Sequence, residues 1–239
     1  MREEAMDLLG LDEVDFEVFQ PHKRRDSFYN ETRLRVKRKL AKIGKALQRE
    51  LPKGLGFQHR TSLSHPYIYN GYCVSSMRVY FFRKLAKGKL RGILGPDLGK
   101  DLDPGYMHPL IAVEISLEEL RLELVIPQKA WWEGENWKRK CRDADRREEL
   151  LGCLRGLKGF GFYIHNWKKR YDCEGMGRGD LEEYFSYYTP GVHDSFLRRV
   201  WLREEVLGGL SFGELRDGFL SLLPVFDFIV WTEKNNYIF

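Results

Sequence analysis

The sequence has no paired cysteines and no apolar run long enough to make a membrane helix. Cys73, Cys141, Cys153 and Cys173 form no C-x-x-C pair, which removes the usual signatures of a zinc ribbon or a redox dithiol. A chain of 239 residues can bury a core without covalent staples, so these are expected to be four separate reduced thiols, acting as small apolar residues in a reducing compartment. No stretch reaches the roughly 18 apolar residues of a transmembrane span. The first twenty residues are acidic where a secretory signal would be basic and then apolar. Membrane insertion and secretion are therefore not expected, and a cytoplasmic globular protein is.

The signatures of several enzyme classes are missing as well. There is no G-x-S-x-G, H-E-x-x-H, Walker or kinase pattern. Gly175-x-Gly177-x-Gly179 has the wrong spacing for a phosphate loop, and Glu174, Asp180 and Glu182 around it would repel a phosphate. Asp97, Asp103, Glu114 and Glu123 have no following E-x-K, so a metal-dependent nuclease is not expected either. The sequence implies no cofactor and no metal.

Acidic residues are scarce in one long stretch. Residues 22–99 carry 19 Lys and Arg against Asp26, Glu31, Glu50 and Asp97, a net +15, whereas residues 1–21 carry −6 and residues 100–239 carry −4. A field of one sign attracts polyanions, because neutralised phosphates release condensed counterions. The acidic segments can also balance it within the fold, leaving an ordinary solvated basic face. Inside this stretch Val36, Leu40, Ile43, Leu47 and Leu51 recur at helical spacing. Arg35, Arg38, Lys42, Lys45 and Arg49 recur on the opposite side. The spacing predicts an amphipathic helix of about twenty residues, started by Asn30 or Asp26 and stopped at Pro52 and Gly54.

Further along, Tyr72–Phe82 reads as a strand with Met77, Val79 and Phe81 on one face and Arg78 and Tyr80 on the other. Strands are also expected over 110–115 and 120–126, close enough to form an antiparallel hairpin, and over 160–165. Helices are expected over 143–157, 180–188 and 212–223, the last broken by Pro224. Residues 90–105 read as a loop rich in glycine. Strands in local groups, rather than regular βαβ units, point to an α+β fold: one domain over 1–239, mainly an antiparallel sheet packed by helices. The stretch 166–179 is the candidate boundary between lobes.

Three polar clusters carry the candidate chemistry. Gln58 to Asn70 holds His59, Arg60, His65 and Tyr69: imidazoles for proton transfer, a guanidinium for anions, and hydroxyls. His108 precedes the 110–115 strand and would converge on Arg60 and Tyr69 if the two strands shared an entry edge. His165 to Tyr171 places Lys168, Lys169 and Arg170 between aromatics, a composition that stacks on and neutralises single-stranded nucleic acid. Each cluster also has a plain structural reading, as hydrogen-bonded histidines or a solvated loop.

Phe16-x-x-Phe19, Lys39-Leu40-x-x-Ile43-Gly44-x-x-Leu47, His59-Arg60-Thr61 and Gly105-Tyr106-x-His108 occur in an order that resembles the YktB-like family of bacterial proteins. Phe196-Leu197-x-Arg199, Arg203-Glu204-Glu205 and Leu222-Leu223-Pro224 are similar to its C-terminal half. The resemblance implies a compact α+β domain with an antiparallel sheet, and brings no activity with it. Function is then expected from the residues alone. The leading expectation is a noncatalytic module whose basic helix and His/Arg cluster bind nucleic acid or a phosphorylated small molecule. The alternative is an enzyme using His59, His65 or His108 as general acid or base beside Arg60.

Overall fold

The computed structural model describes residues 9–52, 56–62, 71–83, 95, 107–165, 167 and 169–238. The chain forms an α+β fold on a seven-stranded antiparallel sheet ordered β1-β2-β3-β4-β7-β5-β6. The strands are β1 (Phe57–Ser62), β2 (Ser76–Arg83), β3 (Leu110–Ser116), β4 (Glu119–Ile126), β5 (Gly161–Ile164), β6 (Tyr171–Asp172) and β7 (Ser195–Leu202). The first four make an antiparallel meander, and β7 inserts between β4 and β5. Residues 166–179 contain β6, which pairs with β5 in this same sheet.

Helix α1 (Glu13–Glu17) precedes the long α2 (Asn30–Glu50). Val36, Leu40, Ile43 and Leu47 of α2 are fully buried, as the apolar stripe requires. Asn30 is the first helical residue rather than the cap, and Asp26 instead caps the preceding 3-10 turn by accepting from the Phe28 N–H at 2.8 Å. The other helices are α3 (Trp131–Lys140), α4 (Ala144–Arg155), α5 (Arg178–Tyr187), α6 (Arg203–Leu207), α7 (Phe212–Ser221) and α8 (Leu223–Ile229). Asp143 caps α4 and Ser211 caps α7 through their side-chain oxygens. Pro224 does not simply end α7: it sits in the first turn of α8, where a missing N–H costs nothing.

Alternation divides the sheet into two unlike faces. Met77, Val79 and Phe81 of β2, Ile111, Val113 and Ile115 of β3, and the even-numbered apolar residues of β4 join the helices in one large core. The opposite face carries a small cluster of strand residues, Tyr80, Phe82, Leu110, Ala112, Val125 and Phe196. Among the described residues no helix contributes to it. The four cysteines are free thiols; burial pushes Cys141 and Cys173 up to about 12, so both stay protonated and unreactive. No described helix is long and apolar enough to cross a membrane.

A second polar motif ties the chain's end to α3. Glu133, Asn136 and Lys140 line one face of the helix and are buried. Glu133 accepts the Trp231 N–H, Asn136 donates to the Asn235 carbonyl and accepts the Tyr237 N–H, and Lys140 donates to the Phe228 carbonyl. Backbone groups that would otherwise be orphaned are thereby satisfied.

Candidate functional site

Register places charged residues of four strands in two rows across the second face. Arg78 of β2 stands opposite Glu114 of β3, which stands opposite Arg121 of β4. One step along, Glu123 of β4 stands opposite Arg198 of β7, and Arg198 opposite Gly161 of β5. Directly opposed side chains lie about 5 Å apart at Cβ, close enough for opposite charges to meet. A third row, with Val125, Phe196 and Tyr163, is apolar.

The charges form one continuous network. Arg121 donates to Glu114 at 2.6 Å, Glu114 pairs with Arg78, Arg78 lies 3.8 Å from Glu123, and Glu123 accepts from Arg198 Nε at 2.7 Å. Arg78 and Glu123 are almost fully buried, with side-chain exposures of 3% and 1%. Burial alone would loosen the proton of Arg198, but the Glu123 carboxylate outweighs it, so this guanidinium holds its proton more tightly than an ordinary arginine. Arg198 is also braced by aromatic faces, 5.2 Å from the Tyr163 ring and 4.7 Å from that of Phe196. Burial pushes the Tyr163 hydroxyl up to about 12, leaving it a phenol donor.

Arg78 is only partly paired. Both glutamates meet its Nη2, while its buried Nε and Nη1 have no hydrogen-bond partner among the described residues. The network lines a cavity of about 550 Å³ together with Tyr163, Trp167, His193, Asp194 and Phe196. That volume falls in the range of small-molecule pockets, roughly 300–1,000 Å³. No family model matches this chain, and no curated protein matches it. The site therefore has to be read from its own chemistry. Among the described residues no group of His, Cys, Asp and Glu is arranged to hold a metal ion.

Of the residues singled out in the sequence, His165 and Trp167 line this cavity, whereas His59, Arg60 and His108 are placed elsewhere. His59 and Arg60 are neighbours on β1, so alternation sends them to opposite faces. His59 turns to the core, its ring 5.6 Å from Phe81 and its Nδ1 3.3 Å from Gln48 Oε1. Burial, and then the charge of Lys45, lower its affinity for a proton. Arg60 lies exposed on the second face, with its guanidinium 5.4 Å from the Phe82 ring. His108 is buried away from both: its Nδ1 is 3.5 Å from Glu133 and its ring packs edge-on against Trp132. Arg60 pairs with Tyr80 and Tyr80 with Ala112, four residues beyond His108. That separates the two by about 13 Å along the strand and about 10 Å across it. His65 and Tyr69 lie outside the described residues.

The basic residues divide in a similar way. Arg35 and Lys39 of α2 are taken up by the acidic N-terminal segment. Arg35 donates to Asp12 at 3.2 Å and Asp15 at 3.1 Å, and Lys39 to the same two at 2.8 and 2.5 Å. Arg35 thus belongs to a structural ion-pair network, not to a free basic stripe. Arg38, Lys42, Lys45 and Arg49 are exposed on α2. Lys169 pairs with Glu183 and lies over Tyr171, while Arg170 folds across Gly161, occupying the space a Cβ would fill. Lys168 lies outside the described residues. At Gly177 the Asp180 carboxylate accepts the backbone N–H at 2.9 Å, filling the helix start that a phosphate would need.

Arg78, Glu114, Arg121 and Glu123 were visible in the sequence as the polar side of alternating strands. What was missed is that Arg78, Glu114 and Glu123 on this side are also buried. Arg198 sits in a strand that the adjacent Arg198-Arg199 pair disguised. The charges at alternate positions of the 120–126 strand, Arg121 and Glu123, were the available signal, since charges in a strand that pairs on both sides need partners across the ladder.

Proposed function

We propose that this protein is a noncatalytic binding module for a small anionic molecule, held in the cavity on the second face of the sheet. The observation that carries this reading is Arg78: a buried guanidinium among the residues lining the cavity, whose Nε and Nη1 have no hydrogen-bond partner among the described residues. Leaving buried donors unfilled costs about 1–3 kcal/mol each, and an oxyanion between Arg78 and Arg198 would recover that cost. This reading rests on arginines of the central strands and not on the His/Arg cluster expected around Arg60. Of the histidines in the enzymatic alternative, His59 and His108 do not share a site with Arg60, and His65 lies outside the described residues. The reading is tested by titrating acetate and inorganic phosphate into the protein at low salt and following its thermal midpoint. At least one anion should raise the midpoint of the wild type, by mass action, and fail to do so in Arg78→Met and Arg78→Lys. A wild type indifferent to both anions refutes the reading.

A second reading is supported by α2. Arg38, Lys42 and Lys45 make no ion pair with any described residue, whereas Arg35 and Lys39 one turn away do. This stripe suits the phosphates of a nucleic acid. Reversing all three charges should flatten the dependence of log affinity on log salt by about 0.7–0.9 for each phosphate no longer neutralised. No binding to generic DNA or RNA at low salt refutes it.

A further inference from the structure

We propose that the buried polar face of α3 is a docking groove for a strand-like peptide segment of a partner protein. The chain's own residues 231–238 occupy it as a detachable strap, which the partner's segment displaces.

The form of the contacts identifies the class of occupant. Asn136 donates from Nδ2 to the Asn235 carbonyl at 3.0 Å, and its Oδ1 accepts the Tyr237 N–H at 2.7 Å. A carbonyl at one position and an amide two positions on are what one residue of a parallel strand holds in its neighbour. One helix side chain thus stands in for a strand edge. Arg139 donates to the Ile238 carbonyl at 3.1 Å, and Glu133 accepts the Trp231 N–H. All four bonds go to backbone, so they recognise a conformation rather than a sequence, as in β-strand addition. Lys140 adds a preference for an aromatic residue, since its Nζ lies 5.9 Å from the centre of the Tyr237 ring.

The strap is built to come away. Glu133, Asn136 and Lys140 are buried, but residues 231–238 are half-buried or exposed. Water replaces hydrogen bonds at small net cost, whereas an apolar seam would lose its whole burial on opening. The seat is also imperfect. The Trp231 and Trp132 rings meet with centroids 5.9 Å apart, and the indole N–H of each is buried with no hydrogen-bond partner among the described residues. Lifting the strap returns the Trp231 N–H to water. An exchange of straps between two copies of this chain would repeat the same contacts with the same two unpartnered donors and gain nothing over the closed chain. A different segment does not inherit that defect, which favours a partner over a second copy.

The experiment follows a fluorescein-labelled peptide of sequence Trp231–Ile238 by anisotropy against the full chain. Asn235→Ala removes the two bonds, to the Phe228 and Val230 carbonyls at 3.1 and 2.8 Å, that anchor the strap beside α8, and leaves every residue of the groove in place. The wild type should bind the peptide weakly, because its own strap competes at an effective concentration on the order of millimolar. Asn235→Ala should bind it about tenfold more tightly, and adding Asn136→Ala should abolish that binding while circular dichroism stays unchanged. In the wild type, exchange of the Tyr237 amide should be insensitive to dilute urea, the mark of a local opening, while that of Val113, inside β3, follows global unfolding. Equal binding or none by wild type and Asn235→Ala, binding indifferent to Asn136, or exchange of the Tyr237 amide only by global unfolding overturns the proposal. Self-association of Asn235→Ala that the peptide does not dissolve assigns the groove to a second copy and overturns the partner.

Discussion

Two glycines inside helices should respond to alanine with opposite signs. Gly152 in α4 is exposed, and a Cβ built on it meets nothing within 4 Å. Alanine is favoured over glycine in a helix interior by about 0.8–1.0 kcal/mol, so Gly152→Ala should stabilise the protein by about that amount. Gly44 in α2 is where the helix seats on the sheet. A Cβ there would stand 2.7 Å from Val79 Cγ2 and 3.0 Å from His59 Cδ2. Val79 is fully buried in β2, and its branched side chain has little rotamer freedom to retreat. Overpacking of this kind costs roughly 1–3 kcal/mol. With the helix-propensity gain set against the upper part of that range, Gly44→Ala should destabilise by about 1–2 kcal/mol. Urea denaturation followed by circular dichroism reads both changes as opposite shifts of the midpoint at constant slope. Val79→Ala removes the opposing methyls, so the double variant should recover about 0.5–3 kcal/mol relative to additivity. If Gly44→Ala stabilises as Gly152→Ala does, or the double-mutant cycle shows no coupling, α2 does not meet β2 through this glycine.

Leu40 is fully buried under α2, and Leu40→Ala should cost about 2–5 kcal/mol in the same denaturation assay; a near-neutral result would remove α2 from the core. Asp15 is buried and accepts from Arg35, Lys39 and the Asp12 backbone. Asp15→Ala should cost about 1.5–3 kcal/mol, with part of the loss absent at high salt. Partial burial pulls the Asp12 carboxyl upward, yet the Lys39 hydrogen bond and the charges of Lys39 and Arg35 leave it below the ordinary value of 3.8. Its contribution is present above that ordinary value and disappears as pH falls through the depressed one, so Asp12→Asn should remove part of the acid-side slope of stability. The lowered proton affinity of His59 acts at milder pH. Below the ordinary value of 6.5 the unfolded chain binds a proton that the folded one resists. Stability should fall as pH drops from about 7 toward 5, and His59→Gln should flatten that fall; an unchanged profile would show that His59 titrates alike in both states.

Much of the architecture was legible because it rests on local periodicity. The stripe from Val36 to Leu47 and the alternation from Leu120 to Ile126 each bury the faces their spacing required. The charge balance of α2 was legible in outline: acids upstream were available to the basic stripe, and Asp12 and Asp15 use Arg35 and Lys39. β7 and β1 were not legible as strands, since Ser195–Leu202 carries two adjacent arginines and Phe57–Ser62 reads as a polar cluster. Helix α3 was hidden by its own function: Glu133, Asn136 and Lys140 are polar on a buried face, inverting the pattern that marks an amphipathic helix. The cavity was out of reach because it depends on register between strands from both halves of the chain. A histidine draws the eye in a sequence, whereas the chemistry here is carried by arginines whose partners lie as far as 75 residues away.

The late insertion of β7 has a consequence for how the protein is made. The meander β1–β4 is complete once Ile126 has been synthesised, but the strand that pairs with β4 begins only at Ser195. At about 5–20 residues per second, β4 waits roughly 4–15 s as an open edge. An open, flat, apolar edge recruits other nascent chains, and inward-pointing charge is one way to deter them. In the folded chain Glu119, Arg121 and Glu123 alternate along β4 on one face. Arg121 and Glu123, which later line the cavity, are thus placed to deter other nascent chains from pairing before the chain's own last strand arrives.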